Sequence, residues 1–133
     1  MSAVDFGDWA IPDLELTLGG RTYTVSPPSV DDGKVILAAA ARGEVNLGIV
    51  KGDLPDEVAR VLERVKSGEH PALGTAVHAQ MVADGLPQAT IDRVTYYAVF
   101  YWARGREYAD RLAALLWAPR QTEEAGAEAN PKG

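Results

Sequence analysis

The residues able to do chemistry in this chain are few, and their spacing does not gather them. His70 stands just before Pro71, and His78 lies one residue off an apolar helical stripe, so two separated imidazoles are the whole histidine complement. A structural zinc site usually draws on four ligands and a catalytic one on three, and the chain has no cysteine to add. Surface or boundary positions account for both rings. Nucleophilic catalysis needs an activated nucleophile beside a base, and no Gly-x-Ser-x-Gly elbow is present. Neither a Walker A loop nor a Gly-x-Gly-x-x-Gly fingerprint occurs; Gly19-Gly20 leads from one strand into another, so no helix start meets a phosphate there.

Carboxylates are more plentiful: Asp5/Asp8, Asp31/Asp32, Asp56/Glu57 and Glu123/Glu124. The pairs at 31/32 and 56/57 fall at expected helix starts, where the backbone dipole favours negative charge without any catalytic duty. Arg93, Arg104, Arg106, Arg111 and Arg120 gather on and after the last helix, interleaved with Tyr96, Tyr97, Tyr101 and Tyr108. Such a set can stack on nucleic-acid bases. Glu107 and Asp110 interrupt the patch and the net charge of −6 opposes it, so a solvated face is expected, with Arg106–Asp110 and Glu107–Arg111 spaced as i,i+4 pairs. These residues point to a non-enzyme with no cofactor and no metal.

The elements that position these groups follow from periodicity. Leu14, Leu16 and Leu18 alternate with Glu15 and Thr17, the pattern of a half-buried strand. Gly19-Gly20 suits a primed hairpin turn, which sets Leu18 opposite Arg21, Leu16 opposite Tyr23 and Leu14 opposite Val25. One face then carries Leu14, Leu16, Leu18, Tyr23 and Val25, and the other Glu15, Thr17, Thr22 and Thr24; a one-residue slip would destroy that separation. Pro27-Pro28 ends the second strand and Ser29 caps a helix over about 30–42, stopped by Gly43 and followed by a glycine-containing loop to Gly52.

Further helices are expected over about 54–66, 71–84 and 87–117, the last broken near Gly105. Leu54, Val58, Val61, Leu62 and Val65 form one stripe, and Leu73, Val77 and Met81 another. From Tyr96 to Trp102 the last helix is apolar nearly all round, which suits a central helix, with a docking surface as the competing use of its aromatics. The fold class is therefore mainly α with a small N-terminal β-hairpin (α+β), a compact bundle of four to five helices. Residues 1–117 are read as one domain and 118–133, rich in Glu and punctuated by Pro119 and Pro131, as a flexible acidic tail.

With 133 residues, 47% of them hydrophobic, the chain has the size of one small domain. The absence of cysteine suits a reducing cytoplasm. An acidic balance argues against broad affinity for nucleic acid or an anionic membrane. The longest apolar run, Tyr96 to Ala103, is far short of the ~20 residues a membrane span needs. Met1-Ser-Ala-Val-Asp-Phe6 has neither the basic start nor the apolar core of a signal peptide.

The order Phe6-Gly-Asp-Trp9, Ile11-Pro-Asp-Leu-Glu-Leu16, Gly19-Gly-Arg-Thr-Tyr-Thr-Val25 and Pro27-Pro-Ser29 resembles the tail assembly chaperones of long-tailed (siphovirus) phages of actinobacteria. The resemblance continues through the alanine-rich helix, Ala-Leu-Gly74, Ala-Asp-Gly85 and Tyr101-Trp-Ala-Arg-Gly-Arg-Glu-Tyr-Ala109. It implies a non-enzymatic chaperone, short form, that binds the tape measure protein and helps recruit tail tube protein. It also implies action in the host bacterial cytoplasm, absence from the mature virion, and a longer form of the same chain made by programmed frameshifting. A structural virion protein, such as a head–tail connector or minor tail component, is the competing expectation. Trp9, Tyr97, Tyr101 and the Arg104/Arg106 edge are the candidate partner-binding residues, because aromatics and arginine anchor interfaces. Self-association is a further expectation; nucleic-acid and membrane partners are not.

Asn130-Pro131-Lys132 can be encoded AAC-CCA-AAG, which contains the slippery heptamer CCCAAAG in the correct frame. Frameshifting at this point predicts that codon choice in the gene. Sequencing it tests the idea, and any synonymous coding that lacks the heptamer ends it.

Overall fold

Gly19 and Gly20 take φ of +56° and +84°, so the chain reverses in a two-residue turn that residues with a Cβ adopt poorly. Strands β1 (Leu14–Leu18) and β2 (Arg21–Val25) pair antiparallel across it, with Leu14 opposite Val25, Leu16 opposite Tyr23 and Leu18 opposite Arg21. The register is the one the alternation demands. Leu14, Tyr23 and Val25 are buried, Leu16 and Leu18 half-buried, and the Glu15/Thr17/Thr22/Thr24 face is exposed. The computed structural model describes residues 3–66 and 68–117; the expected acidic tail, 118–133, lies outside the described residues, as does Ser67.

Five α-helices follow among the described residues: α1 (Val30–Asn46), α2 (Asp56–Glu63), α3 (Thr75–Ala83), α4 (Gln88–Arg104) and α5 (Arg106–Leu116). The protein is thus mainly α-helical with an N-terminal hairpin. Ser29 caps α1 as expected, its Oγ accepting the Asp32 N–H at 3.2 Å, with Asp31 and Asp32 in the first turn. Between α4 and α5, Gly105 takes φ +100° and separates the two helices at the expected break.

Three helix boundaries depart from the sequence reading, each for a tertiary or capping reason. Helix α1 does not stop at Gly43 but runs to Asn46. Gly43 faces inward instead: a Cβ there would lie 3.0 Å from Phe100 Cζ and 3.0 Å from the Tyr96 hydroxyl, so its role is close approach to α4. Helix α2 is shorter than 54–66, because the Glu69 side chain accepts the Lys66 N–H at 3.0 Å and turns the chain away. Helix α3 starts at Thr75 and not at Pro71. The Pro71–Leu73 turn instead pushes Ala72 and Leu73 into the core, and Gly74 N–H closes it on the His70 carbonyl at 2.7 Å.

Two buried clusters result, and α4 contributes to both. The larger joins Leu14, Tyr23 and Val25 of the hairpin to Ile36, Leu73, Met81, Ile91 and Ala98. The smaller holds Phe100 between Ala40 of α1 and Ala109 and Leu112 of α5. Polar tips are tied off at the edges: Trp102 Nε1 donates to the Ala72 carbonyl at 3.0 Å, and Tyr23 donates its hydroxyl proton to Asp84 at 2.7 Å. The central position expected for Tyr96–Trp102 is what the structure shows. No helix among the described residues is long and apolar enough to cross a membrane.

Candidate functional site

Helices α4 and α5 present an aromatic face on which three of the five sequence-proposed binding residues meet. Tyr97 and Tyr101, one turn apart on α4, have ring centroids 6.1 Å apart, and the Arg106 guanidinium lies 5.2 Å from the Tyr101 centroid. Arg106 therefore stacks on Tyr101, and the expected Arg106–Asp110 pair is not among the described ion pairs. Asp110 instead accepts the Tyr97 hydroxyl at 2.6 Å. Burial first, and then this carboxylate, push the Tyr97 phenol up to about 12, so it remains a donor throughout the ordinary pH range. The Glu107–Arg111 pair forms as expected at 3.3 Å, but both side chains are in solvent and it contributes little to stability.

Beside this face runs an open groove of about 330 Å³ between β1, α4 and α5. Leu16, Leu18, Val94, Tyr97, Ala113 and Trp117 line it, with Thr17, Arg93 and Asp110 as polar groups. The Arg93 guanidinium covers the Trp117 ring at 5.5 Å, and Leu115 and Leu116 nearby in sequence remain exposed. Apolar walls, an aromatic end and a few polar groups suit one face of an amphipathic helix. Trp117, Arg93 and the hairpin leucines were not singled out by sequence reasoning as site residues. They are up to a hundred residues apart, and no local pattern reports their meeting.

The other two candidates sit elsewhere. Trp9 lies on a short 3-10 turn, Phe6–Trp9, capped by Asp5, which accepts the Gly7 N–H at 3.0 Å; its ring meets Phe6 edge-on at 5.2 Å and is 66% exposed. Arg104 is engaged inside the protein. Its Nε and Nη2 donate to the two oxygens of Glu44, each at 2.9 Å, and Tyr108 donates its hydroxyl to the same carboxylate at 2.7 Å. Glu44 is the one buried charged side chain among the described residues, at 6% exposure. The Arg104 hydrogen bonds hold its carboxyl below the usual glutamate value, burial opposes them, and the Tyr108 bond reinforces them.

The two histidines, His70 and His78, stack face to face with centroids 3.4 Å apart and ring planes 8° from parallel. Their nitrogen lone pairs lie in the ring planes and so do not converge on one point. Among the described residues no group of three or more His, Cys, Asp or Glu is placed to hold a metal. Burial, then the neighbouring His78, pushes the His70 imidazole below its usual value.

Hairpin, helical body and the groove between them make up a small, mainly α-helical protein. Over residues 4–133 the chain matches the family described as Domain of unknown function (DUF7426), and it belongs to that family. No curated protein and no solved structure matches it.

The two groups with lowered values, His70 and Glu44, make stability pH-dependent with the same sign. A depressed folded-state value means stability is present above the unfolded value and lost as pH falls through the folded one. Acid should therefore destabilise the protein in two windows, the first below 6.5 through His70 and the second below 4.5 through Glu44. Urea unfolding across pH should show His70→Phe flattening only the first. Glu44→Gln should flatten only the second, and should cost about 2 kcal/mol at neutral pH by weakening a buried charge-assisted network.

Proposed function

We propose that this chain is a phage tail assembly chaperone, short form, that binds the tape measure protein and helps recruit tail tube subunits. The observation that carries the reading is the groove between the hairpin, α4 and α5, whose apolar walls fit the apolar face of a long helical client. The N-terminal and central sequence motifs, which resemble those of such chaperones, supply the class of client.

The mechanism is reversible cover. Apolar stripes of the tape measure protein rest on Leu16, Leu18, Tyr97 and Trp117 until tube subunits displace the chaperone. Weak individual contacts, multiplied along an extended client by many copies, keep it soluble and still allow release. The net charge of −6 adds mutual repulsion between coated clients. No chemical step is involved, so the chain works as a binding protein in the host bacterial cytoplasm and leaves before the virion is complete. A longer frameshifted form shares the same domain.

Co-expression with the tape measure protein tests this directly. The wild-type chain should co-purify with it and raise its soluble fraction, whereas Leu18→Asp with Ala113→Asp, two groove-lining changes, should lower recovery about tenfold or more. Failure of the wild type to co-purify, or its presence in stoichiometric amounts in purified particles, would sink the proposal and favour a structural virion protein.

A further inference from the structure

A second, larger cleft of about 790 Å³ opens on the other side of α4. Helix α1 forms its floor with Val35, Ile36 and Ala39, Leu62 of α2 and Val65 just after it form one wall, and α4 forms the other with Val99. Helix α2 is strongly amphipathic, yet none of its residues is buried, so its apolar face is only half covered by α1. Arg42 stands in this cleft and forms no ion pair among the described residues. The cleft also carries two carboxylates, each held by a neutral donor: Glu69 accepts the backbone Lys66 N–H, and Asp92 accepts the Gln88 side-chain amide at 2.8 Å.

The same chain carries an element of matching character. Val4, Phe6, Trp9 and Ile11 are 64–68% exposed, four large apolar side chains within eight residues. The 3-10 turn places residues three apart above one another, so Phe6 and Trp9 project together as one aromatic wedge. Asp5 and Asp8 make this arm acidic, and it has no lysine or arginine.

We propose that the 4–11 arm of one copy docks in the α1–α2–α4 cleft of a second copy, reciprocally, giving a two-fold dimer. The aromatic wedge fills the space between α2 and α4, and apolar burial, not charge, drives the fit. Buried area favours a closed pair. The four arm side chains expose on the order of 500 Å² of apolar surface. One arm seated in one cleft covers roughly 1,000 Å² in all, short of a standard interface, whereas two reciprocal arms cover roughly 2,000 Å² and reach it. This dimer uses a different face of α4 from the client groove and does not depend on what the client is.

Sedimentation velocity on the full chain, from about 1 to about 200 µM, tests the proposal. The wild type should populate a dimer, and Phe6→Ser/Trp9→Ser should raise the dimer dissociation constant at least ~tenfold with an unchanged far-ultraviolet circular-dichroism spectrum. Ala39→Phe, which fills the cleft, should do the same; mixed with the arm variant it should recover part of the dimer, because one intact arm–cleft contact remains. The Ala39→Phe variant, which touches neither the client groove nor any candidate partner-binding residue, should still co-purify with the tape measure protein, which separates this claim from the client reading. A wild type that stays monomeric throughout overturns the proposal, including the case in which the arm folds into its own cleft. So does an arm variant that dimerises as the wild type does.

Discussion

A single buried carboxylate, Glu44, holds the second half of this molecule in register. It receives both donors of Arg104 at the end of α4 and the Tyr108 hydroxyl from α5, so three helices meet at one charge. Burying a glutamate is costly unless it is paired and fully hydrogen-bonded, and here both oxygens are used. The arrangement leaves little freedom in how α5 turns back on α4 after Gly105. Phe100 then packs beneath it against Ala40, Ala109 and Leu112, with the Tyr108 ring stacked 5.7 Å away. Polar geometry sets the angle and the small apolar cluster fills the space below.

Helix α4 transmits that constraint to the rest of the fold. Its Ile91 and Ala98 lie in the core shared with the hairpin, while Phe100 lies in the core shared with α1 and α5. Because α4 is used on several sides, its neighbours leave gaps where they do not meet one another. One gap lies between the hairpin and α5, the other between α2 and α4. Both proposed binding surfaces are these gaps. The two proposed partners, a helical client and a second copy, would therefore each use a separate recess on a common helix.

What the sequence made legible was local. Alternating leucines and Gly19-Gly20 specify strand register within twelve residues, Ser29 marks a helix start, and Gly105 marks a break. Non-local demands stayed hidden. Gly43 has the composition of a helix stop, but the close approach of Phe100, 57 residues further on, makes it a contact point inside the helix. Glu44 looked like part of a loop, and its partner stands 60 residues away. His70 and His78 gave no sign that a turn through Pro71–Leu73 would stack them. Of the candidate binding residues, Tyr97 and Tyr101 share a helix face by their spacing, whereas Arg106 reaches Tyr101 from beyond the Gly105 break. The groove beside them required tertiary knowledge of β1 and α5.

In the proposed function, the hairpin–α4–α5 groove takes the apolar face of a tape measure protein. Hydrogen–deuterium exchange on the chain, alone and bound to that client, tests it most directly. The account predicts slowed exchange at the Thr17–Arg21 turn and along the Arg111–Trp117 end of α5, with the α1 amides around Glu44 unchanged. Protection confined to α1 and α2, or no change at the hairpin and α5 in a formed complex, would contradict it.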